Sequence, residues 1–314
     1  MRLVLSALAV LLAVDQATAA PRVIASVVPV HGIVSAVMGD TGQPELLLAG
    51  SLSEHRATFS PQQIAALGQA DLVFIVGRGL EAKLSQMSGS ESVNGKRFIE
   101  LGRAPGVTLL PIREGGAWEV DSHDHGHDHD HDHSHGETAD GVLSSDPHVW
   151  LDPENAKAMA AAAAVELGKA DPANAAAYAA NAQAFASSLD RVSASIAADL
   201  TSVKAVPFIV FHDAYQYFEQ RFDLSGAGSI TDVSAAAPSA KRLREVRAKI
   251  RDVKAACVFR EPQYDSKMVK TVIEGTGARE GVLDPLGASI PPGAGAYQQL
   301  LTALAGNLKT CLSG

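Results

Sequence analysis

ANAAAYAANAQAFASSLDRVSASIAADLTS, residues 173–202, reads as one helix. Alanine supplies much of it, no glycine or proline interrupts it, and Asp171-Pro172 marks a fresh start just before. Thirty helical residues span roughly 45 Å, more than one small domain needs. Such a helix suits a stiff connector running along two lobes.

On both sides of it, short β-branched or apolar runs alternate with helical patterns. Val23–Val28, Glu45–Leu48, Leu72–Val76 and Arg97–Leu101 read as strands before it, and Phe208–Phe211, Gly226–Ile230, Ala256–Phe259 and Gly281–Leu283 after it. Helical stretches such as Ser60–Gln69 and Ala240–Val253 lie between most of them, which predicts two α/β units with largely parallel sheets. Ser60-Pro61-Gln62-Gln63 is a good helix start, with a capping serine, a first-position proline and a glutamine that completes a capping box. Lys241–Lys254 is amphipathic, with seven Lys/Arg around an apolar face, and reads first as a solvated helix.

The chain of 314 residues is long enough for two domains with their own cores. Its 26 Lys and Arg against 35 Asp and Glu give a formal charge of −9. That balance speaks against nucleic acid or an anionic membrane as a general partner. Arg2, the apolar run Leu3–Val14 and Ala17-Thr18-Ala19 make residues 1–19 a secretory signal, cleaved near Ala19. No later segment is apolar enough to span a bilayer. In an exported chain the two cysteines, Cys257 and Cys311, read as a disulfide, with a thiolate metal site as the alternative.

Residues 113–145 have the composition of a surface loop. Seven of the eleven histidines fall in His123–His135, interleaved with aspartate, and nothing there can build a core. Imidazoles beside carboxylates suit divalent transition metals, so the tract reads as a weak metal collector. Only His31, His55, His148 and His212 lie outside it. His55 precedes the capped helix, His148 lies in a turn-rich segment, and His212 ends an apolar strand. In open α/β sheets ligands bind beyond the carboxyl ends of strands, which favours a site assembled from both halves. Three imidazoles and one further ligand fit tetrahedral zinc.

Asp146-Pro147-His148-Val149-Trp150-Leu151-Asp152-Pro153, Phe211-His212-Asp213-Ala214-Tyr215 and Leu283-Asp284-Pro285-Leu286-Gly287 resemble segments of the periplasmic zinc-uptake binding proteins, the ZnuA family. The acidic histidine-rich loop and the placement of the two cysteines are similar too, and the resemblance covers essentially the whole mature chain. Ala57 and Ser60 depart from it, standing where the family usually has an aromatic and a basic residue. The resemblance implies two (β/α) lobes, with mainly parallel four-stranded sheets, joined by a long rigid helix. On this reading residues 20–170 form the metal-binding lobe, 171–203 the linker helix and 204–314 the second lobe. It also implies Zn2+ held in the interlobe cleft by His55, His148 and His212. The fourth ligand is Glu54 or water, with Asp284 the alternative, and His31 is supporting rather than ligating. The implied protein is a monomeric periplasmic receptor that delivers zinc to an inner-membrane ABC permease, and is not an enzyme. A manganese or iron receptor of the same fold, or a zinc hydrolase, is the rival.

Overall fold

The computed structural model describes residues 20–50, 52–53, 55, 57–77, 79–88, 97–113 and 145–314. The expected signal peptide, Glu54 and the tract His123–His135 lie outside the described residues.

The first half contains β1 (Val23–Ala25), α1 (Val28–Met38), β2 (Glu45–Leu46), α2 (Pro61–Gln69), β3 (Leu72–Ile75), α3 (Ala82–Ser88) and β4 (Phe98–Glu100). Two long helices follow, α4 (Pro153–Ala170) and α5 (Ala175–Leu200). The second half runs β5 (Phe208–His212), α6 (Gln216–Phe222), β6 (Gly226–Thr231), α7 (Ala240–Asp252), β7 (Cys257–Arg260), α8 (Lys267–Ile273), β8 (Arg279–Val282) and α9 (Ala296–Leu312). The strands form two parallel four-stranded sheets, ordered β2-β1-β3-β4 and β6-β5-β7-β8.

All eight expected strands are present, though the four of the first half are shorter than expected. The apolar run Val23–Val28 was expected to be extended throughout, but Pro29 stands in the first turn of α1, which begins at Val28. Proline's fixed φ and missing N–H suit that position. The connector helix is 26 residues long, about 39 Å, because Pro172–Asn174 form a separate 3-10 turn before it and Thr201 and Ser202 fall in the turn after it.

Both sheets are covered on both faces, and alternation along each strand decides which core a side chain enters. Ile209 and Phe211 of β5 face α7 and α8 through Val246, Ile250, Val269 and Val272. Ile24, Val73 and Ile75 pack with Leu67 and Leu84 beneath α2 and α3. The opposite strand faces share one continuous cluster, from Val23, Ala25 and Phe74 through Trp150 and Tyr178 to Phe208, Val210 and Phe259.

That shared core positions the site. α5 packs on α1 and α4 and also on α9 and α6. It is tied by Asn181 Nδ2 donating to Val37 O (3.0 Å) and by Gln298 Nε2 donating to Ser188 Oγ (3.1 Å). α9 returns to the first half, where a β-carbon on Gly32 of α1 would lie 2.8 Å from the Tyr297 backbone nitrogen. Cys257 of β7 and Cys311 of α9 form the disulfide read from the sequence. No described helix is long and apolar enough to cross a membrane.

Candidate metal centre

Two loops and the end of a strand each bring one histidine to the same place. His55 follows β2, His148 lies between β4 and α4, and His212 is the last residue of β5. One ligating atom from each lies within 4.8 Å of the other two. The ring centroids of His148 and His212 are 5.0 Å apart, and His55 lies 5.6 and 5.7 Å from them.

His148 and His212 are buried, and their Nε2 atoms face each other at 3.1 Å. Two nitrogens on a tetrahedral zinc, each about 2.05 Å from the ion, stand roughly 3.3 Å apart, so this pair is almost at bonding separation.

A buried carboxylate fixes the far side of each ring. Asp146 Oδ1 accepts from the backbone N of His148 (2.9 Å) and contacts its Nδ1 (2.8 Å). Glu261, just beyond β7, places both carboxylate oxygens 2.7 Å from Nδ1 of His212, and Tyr215 donates its hydroxyl to Oε1 (3.2 Å). With Nδ1–H directed at a carboxylate, Nε2 carries the lone pair, the form a cation requires. His212 and Glu261 end the neighbouring strands β5 and β7, between which the strand order reverses. This is where open parallel sheets leave a crevice.

Burial dominates the electrostatics. Desolvation, helped by repulsion from His212 and Arg113, holds the His148 imidazole neutral, with a pKa well below 6.5. Desolvation also raises the Asp146 carboxyl to about 7, against the lowering effect of the His148 backbone N–H and of Arg113. A cation at Nε2 reverses the second effect by drawing negative charge onto Asp146. Asp213 and Glu219 are raised too, by burial first, with Arg113 opposing. Arg113 donates from Nε and Nη2 to Asp213 and from Nη1 to Glu219 (2.6 Å), so it joins the end of the first half to the loop and helix beyond β5.

The segment around His148 is held from both sides. Trp150 Nε1 donates to Pro285 O (2.9 Å), and Tyr297 donates its hydroxyl to Trp150 O (2.6 Å). Asp152 caps α4 through Glu154 N (2.9 Å) and accepts a two-pronged contact from Arg221, both bonds 2.8 Å. Tyr217 donates to Asp146 O (2.9 Å). On the His55 side, Ser53 Oγ lies 3.0 Å from the Tyr264 hydroxyl, which links that loop to the second half.

The two other sequence candidates are engaged elsewhere. His31 Nε2 lies 2.9 Å from Pro44 O and its Nδ1 3.2 Å from Ser35 Oγ, so it supports the loop entering β2. Asp284 accepts from the backbone N–H groups of Leu286, Gly287 and Ala288 and from Gln263 Nε2, which makes it a turn organiser. Sequence reading missed the two ring-holding carboxylates. Asp146 stands two residues before His148, and Glu261 follows Cys257-Val258-Phe259-Arg260, a run that reads as a strand carrying a cysteine. A carboxylate near each candidate histidine was the available signal for Asp146. Glu261 is 49 residues from its partner and left none.

A family profile described as "Zinc-uptake complex component A periplasmic", ZnuA, matches residues 23–311. The chain belongs to the ZnuA family. A "High-affinity zinc uptake system protein ZnuA" of Brucella suis is 45% identical over 306 residues, covering 93% of this chain and 91% of that protein. The protein of the same name from Paracoccus denitrificans is 37% identical, covering 93% and 92%. A solved structure titled "Crystal structure of ZnuA" superposes with a TM-score of 0.75 at 27% identity, covering 93% of this chain and 99% of that one. The two four-stranded parallel sheets agree with the fold that the family resemblance implied.

Proposed function

We propose that this chain is a zinc receptor, which captures Zn2+ on His55, His148 and His212 and passes it to an inner-membrane ABC permease. The observation that carries the reading is the facing pair of imidazole Nε2 atoms, 3.1 Å apart, each with its Nδ1 on a buried carboxylate. Three neutral imidazoles favour zinc over the harder manganese ion, which prefers additional carboxylates. The fourth position falls to Glu54 or to water, since the Asp284 oxygens serve backbone N–H groups.

In this reading residues 1–19 direct export and are removed near Ala19, and the mature receptor acts as a monomer in the periplasm. Residues 20–170 and 204–314 form the two lobes, and residues 171–203 hold them apart. The His123–His135 tract collects metal, while the cleft binds it tightly. Binding without turnover suits a cleft in which, among the described residues, Asp146 and Glu261 are committed to imidazoles and Asp213 and Glu219 to Arg113.

Calorimetric zinc titration tests the assignment. Loss of tight binding in His55→Ala, with tight binding kept in a protein lacking His123–His135, is the expected result. The opposite pattern would move the principal site into the tract. Competition against manganese on the same protein separates the two cargoes, with zinc expected to win.

A further inference from the structure

We infer that the outer face of α7 is a docking surface for the chain's own acidic segment, residues 114–144. The first observation is where the charge sits. That segment carries nine acidic residues and no lysine or arginine. Taking those nine from the chain's 35 leaves 26 acids, matching its 26 basic residues, so the whole formal charge of −9 belongs to this one segment. The rest of the chain is neutral overall but not evenly so. Residues 241–254 hold seven Lys/Arg against Glu245 and Asp252, a local excess of five positive charges.

The second observation is how the helix displays them. Val246 and Ile250 face the sheet. Arg242 also turns inward, donating to the carbonyl oxygens of Ser229 and Ile230. Lys241, Arg244, Arg247 and Arg251 follow one another at intervals of three, three and four residues, which places them in a single stripe, and Lys254 stands just past its end. Lys241, Arg244, Arg251 and Lys254 are exposed. Nearby acids only partly offset the stripe: Glu245 lies 3.6 Å from Lys241 and Glu274 3.8 Å from Arg247.

The third observation is where the acidic segment leaves the fold. Arg113 precedes it, and Ser145, which follows it, pairs with Pro111 in an antiparallel bridge, so its two ends emerge side by side. Arg113 lines a cavity of about 340 Å3 together with Ser239 and Arg242, the N-cap and third residue of α7. The segment therefore starts beside the end of the helix that carries the stripe. A chain of 31 residues extends at most about 100 Å, so an excursion out and back covers the roughly 20 Å length of α7 with chain to spare.

The helix begins on the side of the second sheet that carries His212, because β6, which leads to α7, ends at Thr231 in register with that histidine. The attraction acts between exposed charges, so salt screens it.

Zero-length carbodiimide cross-linking of the full mature chain, dilute and at low salt, tests this without zinc. Its failure would therefore leave the three-histidine site untouched. The expected result is intramolecular links from carboxylates of residues 114–144 concentrated on Lys241 and Lys254 rather than on exposed Lys83 and Lys169. Arg244→Glu with Arg251→Glu should cut those links at least about fivefold, as should 0.5 M salt, with circular dichroism unchanged. The milder Arg244→Gln with Arg251→Gln should fall between. Links spread over all exposed lysines, links joining two copies, or links unmoved by charge reversal would overturn the inference.

Discussion

At the scale of single residues, the candidate metal centre is defined less by its histidines than by what holds them. Asp146 and Glu261 fix the rings of His148 and His212, and such partners typically contribute 10- to 100-fold to metal affinity. Asp146→Asn and Glu261→Gln are each expected to weaken zinc binding within about that range while leaving one tight site, measured by chelator competition. His31 gives a separate prediction about pH. Burial lowers its pKa below 6.5, against the opposing bond to Pro44. The unfolded chain therefore takes up this proton first, so the contribution to stability is present above about pH 6.5 and is lost as pH falls below it. His31→Gln should make urea stability less steep between pH 6.5 and 5, by at most about 1.4 kcal/mol per pH unit. The clustering of His55, His148 and His212 was legible in the sequence because so few histidines lie outside the tract. The Glu261 contact was not, since only the parallel sheet brings the ends of β5 and β7 together.

Among the elements, α2 shows how directly local chemistry can be read. Ser60 Oγ accepts from Gln63 N (3.3 Å), and Ser60 N donates to Gln63 Oε1 (2.9 Å), the capping box that the sequence predicts. Gln63 Nε2 also donates to Leu47 O (2.6 Å), tying the helix start to the chain just past β2. Ser60→Ala should cost about 1 kcal/mol and speed amide exchange at Gln63 and Ile64, read by hydrogen exchange. Where an apolar run lacks a period, sequence reading is weaker. Val23–Val28 holds a strand end and a helix start, and apolar character alone does not separate them. The same limit applies to α5, whose alanines extend the helical pattern across a 3-10 turn.

At the scale of the molecule, the two sheets share one core rather than meeting at a thin hinge. α5 spans both halves, and α9 returns to α1 at Gly32. Gly32→Ala puts a methyl against the Tyr297 backbone nitrogen and should destabilise the protein by about 1–3 kcal/mol in urea unfolding. Two α/β units were legible from alternating strands and helices. The return of α9 was not, because it depends on a contact between residues more than 260 positions apart.

The central claim is that one zinc ion sits between the two halves on three imidazoles. The most direct measurement is a crystal structure of the zinc-loaded protein with anomalous scattering at the zinc edge. The account predicts a strong peak about 2.0–2.1 Å from Nε2 of His148 and of His212, and bonded to His55. A peak confined to the tract, or one in the cleft bound to Asp284 without His55, would contradict it.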